Sequence, residues 1–135
     1  MHLTRPTAEE IDLLVTRFYA MARKDPELGP VFHAAIGEDA EAWAKHQAKI
    51  AGFWRNSLGL EKGAYRGSPM EAHARAGGIE MRHFPIWLGL FERCARASMR
   101  PDAAETIVAL AKRIGDGQAM GLAELRRRGG PPVLR

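Results

Sequence analysis

Trp43–Leu58, WAKHQAKIAGFWRNSL, is the stretch whose reading decides the fold. Wound as a helix, Trp43, His46, Ile50, Phe53, Trp54 and Ser57 fall within an arc of roughly 100°. Lys45, Lys49, Arg55 and Asn56 take the other side, so one face is expected to be buried and the other wet. His46 stands inside the apolar stripe, between Trp43 and Ile50. A ring nitrogen there costs on the order of 1–3 kcal/mol unless it is hydrogen-bonded or put to use. The helix therefore presents an aromatic wall with one titratable nitrogen in it.

Upstream, Thr7 and Glu10 have capping-box spacing, and Glu9 is favourable in the same first turn. Ile11, Leu14, Val15, Phe18 and Ala22 then make a helical stripe with Tyr19 at its edge. Asp25-Pro26 stops this helix, because a residue before proline avoids the helical region. The segment ELGPVF reads as a connection that holds Leu28, Val31 and Phe32 near a Gly-Pro turn. Gly37 breaks the chain again, and Glu38 and Asp39 place acid at the positive end of the next helix.

Downstream, GLEKGAYRG has three glycines in nine residues and reads as a surface loop. Ser68-Pro69-Met70-Glu71 is a sharp helix start, and Gly77-Gly78 ends that helix after about two turns. Met70, His73 and Ala74 are its inward candidates. So short a helix needs packing or a ligand to hold it. From Glu80 a longer helix carries Phe84, Trp87, Leu88, Phe91, Cys94 and Ala95, with Pro85 predicting a kink or a late start. Pro101-Asp102 opens the last helix, whose inner stripe is Ile107, Leu110, Ala111, Ile114, Gln118, Gly121 and Leu125. Gly115, Gly117 and Gly121 predict a close backbone approach to a neighbour. There is no strand pattern and no repeat, so the architecture is all-α.

The 135 residues, 46% hydrophobic, suit one domain over residues 1–128, with residues 129–135 expected as a disordered tail. Arg126, Arg127, Arg128 and Arg135 supply four positives to a net charge of +4, so the body is near neutral. No element interleaves basic with aromatic residues, which argues against a nucleic-acid partner. Cys94 alone cannot form an intrachain disulfide and is expected as a buried filler. No apolar run reaches the length of a membrane span and MHLTRPTAEEI has no signal-peptide core, so no membrane is implied and the expected location is cytoplasmic.

Five histidines remain as candidates for chemistry. His2, His33 and His83 sit at a terminus, after a turn and among charges, and are expected to be solvated. His46 and His73 fall on inward faces. A pocket lined by Phe18, Phe32, Ile50, Phe53 and Trp87 would suit a large flat apolar cofactor with a histidine as metal ligand, although core packing accounts for the same aromatics. His-Glu-x-x-His, phosphate-loop, Gly-x-Gly-x-x-Gly and Gly-x-Ser-x-Gly motifs are all missing, and His46 and His73 lack a third partner for zinc.

FYAMARKDPELGPVF, WAKHQAKIAGFW, YRGSPMEAH and FPIWLGLFE, in this order and spacing, closely resemble the truncated haemoglobins of group III. The resemblance runs from Ile11 to Met99 and more loosely through the last helix. It implies a shortened globin fold around haem b, with iron bound by His73. It further implies Tyr19, His46 and Trp87 as distal residues that act on the ligand, and Phe32, Ile50 and Phe53 as haem packing. Lys49 and, more weakly, Arg66 would pair with propionates. The ligands implied are O2, NO and other small diatomics, with an unidentified reductase as electron donor. Two hydrogen-bond donors beside the ligand suit NO-dioxygenase-like or peroxidase-like redox chemistry better than oxygen delivery. The alternatives are a ligand-binding or sensing module without turnover, and a haem-free interaction protein. Departures from the family pattern are ARAGG after His73 and Pro85 two residues before Trp87.

Overall fold

The computed structural model describes residues 5–63 and 78–127, and all of its regular structure is helical. The short helix expected after Ser68, with Arg66 and His73, falls outside the described residues, as do His2 and residues 128–135.

Helix α1 spans Ala8–Ala22 and opens with the expected capping box: Glu10 N donates to Thr7 Oγ1 at 3.1 Å, and Thr7 N donates to Glu10 Oε1 at 2.9 Å. The Glu10 carboxylate also accepts from Arg100 N at 3.0 Å, which ties the start of α1 to the far end of the sequence. Tyr19 is not at an edge. It is 4% exposed, alongside Ile11, Leu14, Val15, Phe18 and Ala22.

The ELGPVF connection is instead helical. Helix α2 spans Leu28–Ile36, begun by Asp25 Oδ1, which accepts from Glu27 N at 2.8 Å and Leu28 N at 2.9 Å. Pro30 occupies the first turn, where a missing N–H costs nothing. Gly29 is required for a different reason. A Cβ there would lie 2.7 Å from the Arg23 carbonyl oxygen, so only glycine lets α2 turn this tightly against the end of α1.

Helix α3 spans Ala40–Ser57, with Asp39 accepting from Ala42 N at 3.1 Å as its N-cap. Its apolar side divides in two. Trp43, Ala51, Gly52 and Trp54 are buried against α1 and the core, whereas His46, Ile50 and Phe53 are only half-buried, and Ser57 is exposed. Half-buried apolar residues on an inward face mean that the face borders a space.

Helix α4 spans His83–Ser98, starting three residues later than Glu80, so Pro85 falls in the first turn and bends nothing. Helix α5 spans Pro101–Arg127, approaches α4 most closely, and buries Ala103, Ala104, Ile107, Val108 and Ala111 in the core. Gly115 and Gly117 do not mark close backbone contact: a Cβ on Gly115 would meet the Trp87 ring at an ordinary 3.9 Å, and one on Gly117 would meet nothing within 4 Å.

The core is largely aromatic. Phe91 of α4 stacks on Trp87 at 5.1 Å and 21°, lies 4.9 Å from Trp54 of α3 and 6.0 Å from Phe18 of α1, and so joins three helices. Cys94 is buried as expected, its thiol 3.6 Å from the Met21 sulfur. No described helix is long and apolar enough to cross a membrane.

Candidate functional site

Between these helices lies a cavity of about 260 Å³. Its wall is mainly apolar: Leu28, Val31, Phe32 and Ile36 from α2, Ile50 and Phe53 from α3, Phe84 and Trp87 from α4, and Ile114 from α5. Seven residues expected at the site therefore meet around one space, since Tyr19, Phe32, His46, Lys49, Ile50, Phe53 and Trp87 all line it. Phe18, expected in the lining, sits behind it at 6.1 Å from Trp87.

The polar contact at the α1–α3 wall is short: Tyr19 Oη lies 2.8 Å from His46 Nε2. Tyr19 and His46 meet edge to face at 5.1 Å and 84°, which sets the hydroxyl toward the ring nitrogen. Burial raises the Tyr19 pKa, so the phenol keeps its proton. Burial, and secondarily the charge of Lys49, lowers that of His46, so the imidazole is neutral at pH 7. Two neutral groups sharing one hydrogen bond have two arrangements. With the proton on Nδ1, Tyr19 donates to His46 and its hydroxyl is committed. With the proton on Nε2, His46 donates to Tyr19, and the phenol proton is free to point into the cavity.

The opposite wall is different. The Trp87 indole is fixed by stacking on Phe91, and its N–H has no partner among the described residues. His83, expected in solvent, is 4% exposed and lines the cavity. Its Nδ1 accepts from Glu80 N at 2.8 Å, so the ring is neutral with its proton on Nε2. That Nε2 has no hydrogen-bond partner among the described residues, the nearest carboxylate being Glu27 at 3.9 Å. Gln118 Oε1 is likewise buried, with no hydrogen-bond partner among the described residues. His33, also expected in solvent, is half-buried with its ring 5.5 Å from Trp43. The charged neighbours of His83 conceal its burial from a sequence reading. The one local hint is that it stands directly before Phe84.

No family model matches the chain. The crystal structure of the group III truncated haemoglobin from Campylobacter jejuni superposes with a TM-score of 0.80 at 34% sequence identity, covering 85% of this chain and 90% of that one. The fold is thus that of a truncated globin. A group 3 truncated haemoglobin from Campylobacter jejuni is 44% identical over 84 residues, which are 62% of this chain and 65% of that relative's length. The chain belongs to the group III truncated haemoglobins.

Proposed function

We propose that this protein binds haem b in the cavity and uses it to hold and convert small diatomic ligands, O2 and NO foremost, in redox chemistry rather than oxygen delivery. The observation that carries the reading is the 2.8 Å Tyr19–His46 contact in the wall of an apolar cavity that Trp87 also lines. The residues present fit the group. Phe32, Ile50, Phe53 and Trp87 offer flat apolar surface left half-buried, which a macrocycle would cover, and the Lys49 ammonium at the rim suits a propionate. Within the resemblance, His73 is the iron ligand and Arg66 a second propionate partner.

Haem supplies an iron at which a diatomic ligand is bound and electrons are exchanged. The chain's own residues supply hydrogen bonds in a dry space. The Trp87 N–H is one donor with a fixed direction. The Tyr19 hydroxyl is the second, released toward the cavity when His46 carries its proton on Nε2 and donates to the phenol oxygen. A hydrogen bond in such an apolar wall is stronger than in water, and both donors are already ordered before a ligand arrives. The neutral pair also places a proton at Tyr19 Oη; once it is given up, His46 replaces it with the proton on Nε2 and takes up another from water at Nδ1, which suits proton-consuming reduction of peroxide. His46 therefore directs the hydroxyl proton and does not bind iron. An electron donor, a reductase, is required for turnover.

The test has two stages. Absorbance of the purified protein should show a Soret band, and its absence after haem supplementation would leave a haem-free interaction protein. Mixing the reduced, oxygen-saturated protein with NO should then form nitrate stoichiometrically within one turnover. Haem binding without nitrate formation or peroxide consumption would favour a binding or sensing module.

A further inference from the structure

Trp43 does not line the cavity, yet it is held from several directions. Its indole N–H donates to the Gly37 carbonyl at 2.8 Å. Gly37 ends α2 at φ +92°, a conformation side-chain-bearing residues rarely adopt, and this turn sets the direction of that carbonyl. The Arg23 guanidinium lies 4.2 Å above the indole ring. Arg23 is itself placed by the tight α1–α2 corner that Gly29 permits. With these two approaches fixed, the ring meets Tyr19 at 6.0 Å and His46 at 6.5 Å, both edge to face. It is 2% exposed.

We propose that Trp43 is the positioning residue of the Tyr19–His46 pair: held by Gly37 and Arg23, its indole closes one side toward which either ring would turn away from the other. His46 stands three residues further along α3, so its ring lies over the turn that carries Trp43. Phe32 stops the other side, 5.4 Å from Tyr19 and 6.5 Å from His46. The 2.8 Å contact is thereby imposed by packing, and the two rings need no ligand to find each other. This inference concerns the pair itself and holds whether or not the pair serves haem chemistry.

The test is NMR of the His46 ring and the Tyr19 hydroxyl proton across a pH titration, on the purified protein reduced under carbon monoxide so that any iron is diamagnetic. Among the described residues, Tyr19 and Lys49 are the titratable groups that face His46, and both remain in the variants. Trp43→Phe keeps an aromatic ring but cannot donate to Gly37. We expect the His46 midpoint to rise by about half a unit as the ring gains water, and the hydroxyl resonance to broaden away. Ile107→Ala, at a fully buried position of α5 outside the cavity lining, lowers thermal stability and should move neither signal. Unchanged signals in Trp43→Phe, or equal movement in Ile107→Ala, would overturn the proposal. If Trp43→Phe does not fold, Arg23→Gln removes only the guanidinium above the indole. It should shift the midpoint in the same direction by less, and no shift would overturn the proposal equally.

Discussion

The two walls of the cavity solve the same problem in opposite ways. On the α1–α3 side the polar atoms pair with each other, Tyr19 with His46, and a ring of aromatics holds them together. On the α4–α5 side His83 Nε2 and Gln118 Oε1 are buried without a partner among the described residues. An internally paired wall is ordered at no cost in desolvation. An unpaired one stores a deficit of about 1–3 kcal/mol per buried group, which is recovered only when something binds. The first wall sets geometry, and the second rewards occupancy.

Phe91 joins the two walls, and its loss should have the largest effect. Phe91→Ala removes the ring between Trp87, Trp54 and Phe18, and should cost about 3–5 kcal/mol of stability in denaturant unfolding. It also frees the Trp87 indole, so ligand rates should change along with stability. If only stability falls, the stacking on Phe91 is not what aims Trp87.

Far from both walls, the Glu10–Arg100 tie marks a cost unrelated to the site. Burial acts to raise the Glu10 pKa. The Arg100 side chain, with the Thr7 and Arg100 N–H groups, outweighs it and brings the carboxyl from 4.5 to about 2. A pKa lowered on folding contributes stability that is present above pH 4.5 and is lost as pH falls toward 2. Glu10→Gln should cost about 1 kcal/mol at pH 7. It should also flatten the acid limb of a stability–pH curve while leaving the His46 titration unmoved. A moved His46 midpoint would show that the site is coupled to this remote tie.

The smallest effect is expected on the unpaired wall. Gln118→Met keeps the volume and removes the orphaned carbonyl, so the protein without ligand should be unchanged or slightly stabilised. The stabilisation gained on haem addition should shrink. A clear loss of stability in the ligand-free protein would mean that Gln118 is already satisfied, and the contrast between the walls would fail.

Most of this was legible in the residues. The capping box at Thr7, the Asp39 helix start and the inward stripe of α3 are local patterns, and local hydrogen bonding alone decides them. The reading missed where tertiary contact overrode local signals. Gly29-Pro30 reads as a turn, yet Asp25 caps two N–H groups and Pro30 falls in a first turn, so the segment is helical. His83 sits among charged neighbours in sequence, but starting α4 at that residue points the ring inward. The site was legible as a set of inward residues. Periodicity did not reveal that Tyr19 and His46 bond to each other, because a contact across 27 residues depends on how two helices cross.

The claim at the centre of this account is that the Tyr19 hydroxyl, directed by His46, donates to a ligand in the cavity. Stopped-flow oxygen dissociation from the reduced wild-type protein and from Tyr19→Phe tests it most directly, because the substitution keeps the ring and removes only the hydroxyl. A hydrogen bond to a partly charged acceptor is worth about 1.5–3 kcal/mol, so the variant should release oxygen about ten- to a hundredfold faster. Dissociation within about twofold of wild type would mean that the hydroxyl serves His46 alone, and would contradict the account.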